Sequence, residues 1–424
     1  MCAVTCSRTS WYNARLKEGY YLMNFHTLKD LNVKDKTVFV RVDFNVPMKD
    51  GKITDDTRLK AHLPTLVALR EAGAKVVMGC HLGRPDGADK RFTLEPISVY
   101  LSELLGSPVK FVGEVIGDKV DAAKAELEPS EFLLLENLRY HKEEKAGDTE
   151  FAKELAKGVD IYLNDAFANS HRTHASMAGI VSNVKENGIG LLMQKELETL
   201  GGILSEPKEP FTVIIGGSKI STKIGVLQAL IKKANTLIIG GAMANTFFAA
   251  KGMQVGNSLY EEDYLDQARD ILAEAGIIGC RLLLPTDVTV ATKLEECAPS
   301  HHVKAGDVQP HEMILDVGPE TVINWAKVME MSGSILWNGP VGAFETYPFD
   351  EASKALAESV AHSKGFSVIG GGDTLACVAL TGREKQMGYL STGGGALLEF
   401  IENDCTLPAL SALTSKTLKL KIGA

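Results

Sequence analysis

The sequence is short of the features that would place it outside the ordinary soluble proteins. Its seven cysteines (residues 2, 6, 80, 280, 297, 377 and 405) form no CxxC pair and no dense framework. That spacing excludes a disulfide scaffold and a cysteine-based zinc site, and predicts free thiols in a reducing compartment. Cys80 follows an apolar run and precedes His81; it reads as a small buried residue at a strand end, with a reactive thiol as the alternative. No apolar run reaches the roughly 18 residues that span a bilayer, so no membrane helix is expected. There is no excess of positive charge: the formal net charge is −9, which argues against nucleic acid as a partner, since that needs a broad basic face. There is also no GxGxxG and no Walker A sequence.

The first 22 residues have neither a periodic apolar face nor a long apolar stretch, and so do not make a secretory signal. They carry Arg8, Arg15 and Lys17 against Glu18 alone. The expectation is a disordered or non-native extension ahead of Met23, with an organelle transit segment as the alternative and a cytoplasmic location for the rest.

What remains is an alternation. Hydrophobic residues make up 45% and charged residues 23% of a chain long enough for two domains. From about Val38, β-rich apolar runs alternate with helical patterns. Strands are predicted at TVFVRV, AKVVMGC, PVKFV, EFLLLE and VDIYL in the first half. A helix follows the first of them, with Leu59, Leu63, Leu66 and Val67 on one face. Others open at Glu95-Pro96, where proline suits a first helical position, and after Gly147-Asp148. The second half repeats the scheme with FTVIIGG, NTLIIGG, CRLLLP, GSILWNG, GFSVIGGG and GYLSTGGG, and with a helix over STKIGVLQALIKKA. Unalternating apolar runs suit strands buried on both faces of parallel sheets. Strand–helix alternation throughout predicts an α/β fold, two Rossmann-like three-layer αβα domains with mainly parallel sheets. The helical stretch GLLMQKELETLGGILSEP reads as the hinge helix between them. The boundaries expected are 1–22 for the extension, 23–190 with 405–424 for the first domain, and 191–404 for the second.

In such sheets ligands sit beyond the carboxyl ends of the strands. Two kinds of residue gather there. In the second half they are glycines: GGSKISTK (216–223), GGAMANTF (240–247), GGGDT (370–374) and STGGG (391–395). Each places flexible backbone before a helix start, whose unpaired N–H groups suit phosphate. Lys219 and Lys223 add charge, and Asp373 adds a hard oxygen that suits Mg²⁺ beside nucleotide phosphates, or an N-cap. Glu345, in NGPVGAFE, offers acceptors for a ribose, or is an exposed loop carboxylate. One strand-end GG is no more than a tight turn; several together with Lys and Asp favour a nucleotide site.

In the first half the residues are Arg and His. RVDFNVP (41–47) is followed by Arg58, HLGRPDG (81–87), ENLRYH (136–141) and NSHRTHAS (169–176). Arginine recognises carboxylate and phosphate through two parallel hydrogen bonds. Arg58, Arg84, Arg139 and Arg172 come from four separate loops with no acidic run to neutralise them as a group. Taken singly, each is a surface ion-pair or stem-packing residue, His81 and His171 are structural histidines, and Asp43 and Asn45 cap a turn. Taken together in an acidic chain, they describe a pocket for a small, highly charged anion. Arg41 is set aside, since it precedes the VDFN turn and reads as its support.

The motifs RVDFNVP, HLGRPDG, GGSKISTK, LWNGPVGAFE, GGGDT and STGGGA, in this order, resemble those of the phosphoglycerate kinases, from about Met23 to the C-terminus. The resemblance implies an N-terminal domain that binds 3-phosphoglycerate or 1,3-bisphosphoglycerate. It implies a C-terminal one for ADP or ATP with Mg²⁺, and a tail that returns to the N-terminal domain. By position, Asp43, Asn45, Arg58, His81, Arg84, Arg139, His171 and Arg172 would hold the phosphoglycerate. Gly217, Lys219, Lys223, Gly241, Asn338, Glu345, Gly371, Gly372, Asp373 and Thr374 would serve the nucleotide, with Asp373 on the metal. Arg58, Lys219, Gly394 and Gly395 would meet the transferred phosphoryl, after closure of the hinge. A monomer is implied. The chain departs from the family at AFANSHRTHAS, where the turn has lost a glycine, at Ser218, and at TLPALSAL in the tail.

Two other classes are less well served. A nicotinamide-dependent dehydrogenase would need GxGxxG and an acidic residue about 20 positions later. A two-domain binding protein of the periplasmic type would need an export signal, and has no need of phosphate loops in one half and arginines in the other.

Overall fold

The computed structural model describes residues 25–414; the extension at residues 1–22 and the end of the tail lie outside them. The chain divides into two units, one running to Glu198 and resuming at Thr406, the other formed by Thr199–Cys405. The division falls inside the helix Leu191–Ser205 rather than ahead of it.

The first unit is built on a six-stranded sheet. Its strands are β1 (Thr37–Arg41), β2 (Lys75–Gly79), β3 (Val109–Val112), β4 (Phe132–Leu135), β5 (Ile161–Asn164) and β6 (Glu186–Ile189), in the order β3-β4-β2-β1-β5-β6. All pairings are parallel. The apolar runs of β1, β4 and β5 are buried on both faces, as in parallel sheets generally. β6 is the exception to the sequence expectation. Its ENGI carries Asn and Gly, both poor strand formers, and no apolar run announces it. The helix Thr57–Glu71 packs Leu59, Leu66 and Leu69 into the core over β1 and β2, with Leu63 and Val67 partly buried beside them. In the tail, Leu407, Leu410 and Leu413 are buried and the Ala409 N–H donates to Ser170 O at 3.1 Å. The altered TLPALSAL therefore still supplies an apolar face to the first unit.

The second unit has another parallel six-stranded sheet, made of β7 (Phe211–Ile215), β8 (Thr236–Ile239), β9 (Arg281–Leu283), β13 (Ser334–Asn338), β14 (Phe366–Gly370) and β15 (Tyr389–Ser391). Their order is β9-β8-β7-β13-β14-β15. The strand order reverses between β7 and β13, as it does between β1 and β5 in the first unit. These are the topological switch points, where crossovers leave to opposite sides and open a crevice at the strand ends.

Alternation of strand and helix does not hold throughout. Between β9 and β13 the chain lays down an antiparallel sheet of β10 (Asp287–Ala291), β11 (Ser300–Lys304) and β12 (Met313–Val317). β11 reads SHHVK and is largely exposed, so it has no apolar run to mark it. The helix expected over 221–234 is also shorter, Ile224–Leu230; at its start Ser221 is drawn aside by Glu261, which accepts from its N–H at 2.9 Å and its hydroxyl at 2.6 Å.

Candidate active site

At the first switch point, β1 ends at Arg41 and the chain turns through Val42-Asp43-Phe44-Asn45. Arg41 is almost wholly buried. Its Nε donates to Ser176 Oγ at 2.9 Å, one terminal nitrogen donates to Val42 O, and the other lies 3.3 Å from His81 Nδ1. It is a strut beneath the turn and is not on the surface. Asn45 Oδ1 accepts the Gly83 N–H at 2.8 Å, which ties the VDFN turn to the HLGRP loop. Asp43 is buried, and its Oδ2 accepts from Arg58 Nη1 at 2.5 Å. Arg58 itself stays accessible at the N-terminal end of its helix.

Arg139 comes from the loop after β4. Asn137 shapes that loop: its carbonyl takes the Arg139 N–H at 3.0 Å, while its amide donates to Leu82 O and Phe92 O. Arg139 is 8% exposed; its guanidinium donates to Gly83 O at 2.6 Å and keeps Nε buried without a partner. Burial, then the charges of Arg172, Arg41 and Arg84, lower its pKa to about 10. Burial and the neighbouring arginines also hold His81 well below the ordinary histidine range. His171 is lowered by burial and Arg172; its Nε2 faces Arg172 Nε at 3.2 Å and its Nδ1 is buried without a partner. His174, lowered to about 3 by burial and by Arg41, Arg172 and Arg139, belongs to the same cluster.

The structure thus brings His81, Arg84, Arg139, His171 and Arg172 within mutual electrostatic reach, and sets Arg58 apart with Asp43. The nearby buried carboxylate, Glu144, is committed to the protein: it accepts from Ser176 N–H at 2.9 Å and Ser176 Oγ at 2.6 Å. The result is a cluster whose members repel one another's protons, an arrangement relieved by an anion. His174, Glu144 and Asn137 escaped the sequence reading. His174 lies within NSHRTHAS and was legible as a third base at that loop; the other two matter only through contacts the sequence does not show.

In the second unit a cavity of about 770 Å³ opens at the carboxyl ends of the sheet strands. That is within the range of roughly 300–1,000 Å³ usual for small-molecule sites. Gly217, Gly241, Glu345 and Asp373 line it, together with apolar Leu259, Met313, Val341 and Phe344, which the sequence reading did not single out. β12 of the antiparallel sheet forms part of its wall. Glycine is required where the strand-end loops meet. A Cβ on Gly216 would lie 2.0 Å from Pro340 O, and one on Gly241 would lie 2.5 Å from Gly217 O.

The other expected nucleotide residues sit around this cavity without lining it. Lys223 turns inward instead of following Lys219 along a helix start: its Nζ donates to Gly216 O at 2.5 Å and lies 3.3 Å from Asn338 Oδ1. Burial lowers its pKa to about 8, with Asp373 opposing. Asn338 uses its amide on Gly370 O at 2.8 Å. The Thr374 hydroxyl accepts the Gly339 N–H at 2.7 Å and donates to Gly370 O at 2.8 Å. Both are buried and spend their polar atoms joining the ends of β13 and β14. Lys219 is exposed in the turn before Ile224. Gly371 caps the helix Gly372–Ala379, so Asp373 stands in its first turn and not at its cap. Gly394 caps the helix Gly395–Glu402 in the same manner.

Among the described residues no three His, Cys, Asp or Glu side chains could hold a metal on their own. Asp373 is a carboxylate on the cavity wall in the first turn of a helix, which fits Mg²⁺ carried in by nucleotide phosphates, since that ion keeps most of its shell and takes one or two carboxylates. Cys80 is buried and its thiol is pushed up to about 12, which removes the reactive reading. No described helix is long and apolar enough to cross a membrane.

A family model described as phosphoglycerate kinase matches residues 28–404. A cytosolic phosphoglycerate kinase of Triticum aestivum is 46% identical over 91% of this chain and 97% of its own. A chloroplastic phosphoglycerate kinase of Arabidopsis thaliana is 45% identical over 91% of this chain and 81% of its own. The structure of phosphoglycerate kinase from Coxiella burnetii superposes with a TM-score of 0.84 at 41% identity, covering 93% of this chain and all of that one. A match of this extent, on a fold with two parallel sheets, means that the chain belongs to the phosphoglycerate kinase family.

Proposed function

We propose that this chain, a phosphotransferase of the phosphoglycerate kinase family, divides its reaction between two half-sites. 3-Phosphoglycerate or 1,3-bisphosphoglycerate would be held by the cation cluster of the first unit, and ADP or ATP by the cavity of the second. The cation cluster carries the reading. Its cations crowd one another, with His81 and Arg139 buried among them, and the repulsion that lowers the pKa of Arg139 and of His174 is of the kind a ligand of high negative charge relieves.

Arg84, Arg139 and Arg172, with His81 and His171, take the charges already present on the phosphoglycerate. Asp43 and Asn45 hold the turn against it and offer acceptors to its hydroxyl. On the nucleotide side, the apolar wall from Leu259 to Phe344 takes the base, Glu345 the ribose, and Gly217, Gly241, Gly371 and Gly372 leave room for phosphate near the backbone. Lys223, Asn338 and Thr374 support these loops. Asp373 is the residue placed to receive Mg²⁺, which when bound neutralises phosphate charge.

The acceptor in the ATP-consuming direction is a carboxylate, ionised at neutral pH, so no general base is needed. Transfer then rests on positioning and charge stabilisation. Arg58 and Lys219 are assigned to the phosphoryl in flight, with the backbone N–H groups of Gly394 and Gly395. Direct transfer also requires the two bound molecules to meet away from water, which calls for a closing motion between the units. A monomer would suffice, because each half-site is furnished from within its own unit. An assay of ADP formation from 3-phosphoglycerate and Mg-ATP tests the whole; no ADP formation would overturn it, and phosphoglycerate-independent ATP hydrolysis at the same rate would overturn the transfer mechanism.

A further inference from the structure

The helix Thr57–Glu71 carries a histidine on its inward face. His62 follows Leu59 by three residues and precedes Leu66 by four, so it points where the core-forming leucines point. It is 1% exposed. Its Nε2 accepts the Asp43 N–H at 3.0 Å, so the ring proton is on Nδ1, which lies 2.9 Å from Asp165 Oδ2. The Phe44 ring stands edge-on to the imidazole at 5.5 Å and 78°. One buried ring therefore holds both the backbone and the next side chain of the VDFN turn.

Asp165 continues the chain of contacts. Its Oδ1 accepts the N–H groups of Leu192 at 3.0 Å and Met193 at 3.1 Å, in the first turn of the helix Leu191–Ser205. Thr65, from the same helix as His62, accepts the Leu191 N–H at 2.9 Å. At the other end, Asp43 passes the constraint to Arg58 through Oδ2 and to the Asn45 N–H through Oδ1 at 3.2 Å. An apolar residue at position 62 would fill the core equally well. Burying an imidazole with both nitrogens bonded is justified by what it fixes, since a buried polar group is costly unless satisfied.

We infer that His62 is a positioning residue, which with Asp165 locks the Asp43–Arg58 pair to the first turn of the helix that carries the chain from one unit into the other. This rests on the proposed role of Arg58 and Asp43 at the phosphoglycerate side. Its effect falls on one substrate: the turn that His62 holds belongs to the first unit, and the nucleotide cavity is lined wholly by the second.

The test is steady-state kinetics on the full chain, varying each substrate in turn, with His62→Phe, His62→Ala and His62→Gln. The phenylalanine keeps the ring volume and lacks both hydrogen bonds, so it decides the matter should the alanine fail to fold. Losing the bond to Asp43 is expected to raise KM for 3-phosphoglycerate about tenfold, as one buried hydrogen bond warrants, with KM for Mg-ATP unchanged. The glutamine, with an acceptor and a donor at similar reach, is expected to recover a good part of it. A residue that only packed would lower the unfolding midpoint and leave both KM values alone; that result, or an equal rise in both, overturns the inference. Arg58→Ala run alongside separates the failures. If it is defective while the His62 variants bind phosphoglycerate normally, only the positioning role falls. If it turns over normally, the site reading falls first.

Discussion

The two proposed half-sites would recognise charge by opposite means. In the first unit the work falls to side chains: Arg84, Arg139, Arg172, His81 and His171 converge from separate loops, and burial sharpens their mutual repulsion. In the second it falls to backbone and shape. There the strand-end glycines approach until no Cβ would fit, and the polar side chains nearby, Asn338 and Thr374, are spent on holding loops together. A small, compact anion offers little surface, so charge must do the binding. A nucleotide offers a flat apolar base and a long phosphate chain, so a cavity and free N–H groups suffice. The lesson is that a side-chain site fails by loss of charge, whereas a backbone site fails by gain of volume.

That contrast can be broken most forcefully at Arg58. Arg58→Ala is expected to leave the unfolding transition and nucleotide affinity unchanged and to reduce kcat by roughly 10²- to 10⁵-fold, the range for one charge on a phosphoryl in flight. Normal turnover would remove Arg58 from the reaction. The matching change in the second unit adds atoms. Gly241→Val places a branched side chain at φ +69° against Gly217, with a Cβ at 2.5 Å from the carbonyl oxygen. We expect nucleotide affinity to fall by roughly 10²-fold or more, since such backbone strain costs about 1–3 kcal/mol before any clash is counted. Phosphoglycerate affinity should be unaffected. Titration calorimetry with each ligand measures both, and a loss of both affinities together would deny the division of labour.

Much of this was legible in the sequence because the fold rests on two parallel sheets, whose buried strands are unbroken apolar runs ending in the candidate binding residues. FTVIIGG and GSILWNG gave both strand and loop at once. The pieces that were not legible lack such a run: ENGI pairs at the sheet edge with an Asn and a Gly among its four residues, and SHHVK is a polar edge strand of a small antiparallel sheet. The candidate site follows the same division. The arginines stood out because charge at a strand end is conspicuous. His62 did not, since a histidine among leucines on a helix face looks like core until its two partners, Asp43 and Asp165, are seen to come from loops far along the chain. Lys223 shows the reverse error. The sequence offers it as charge beside Lys219 for a phosphate, and the fold instead turns it under Gly216.

Lys223 also offers a quieter test of the contrast. Burial holds its pKa down to about 8, so near that pH the ammonium is partly deprotonated in the free protein. A bound phosphate favours the charged form and raises the pKa again. Nucleotide binding between about pH 8 and 9 should therefore take up a fraction of a proton, seen in calorimetry as a binding enthalpy that depends on the buffer's ionisation heat. Lys223→Met should abolish the dependence. Buffer-independent enthalpies for the native chain in that range would show that Lys223 does not sense the phosphate.

The smallest expected effect lies in the first unit, at His174. In the folded chain its pKa is lowered from 6.5 to about 3. Between those values the unfolded chain binds a proton there that the folded chain refuses, so protonation favours unfolding. The contribution is complete above pH 6.5 and is lost steadily as pH falls toward 3. The ring is partly open to solvent, so the effect is modest, and it is isolated by comparing slopes. The urea midpoint of the native chain should fall more steeply from pH 6.5 to 4.5 than that of His174→Gln. Saturating 3-phosphoglycerate should flatten the native slope, because an anion among Arg41, Arg139 and Arg172 removes the repulsion that holds the proton off. No comparable flattening is expected from nucleotide, whose proposed site lies in the other unit. If both ligands flatten the slope alike, the cation cluster is not the phosphoglycerate site, and the difference between a charge-built and a backbone-built half-site disappears.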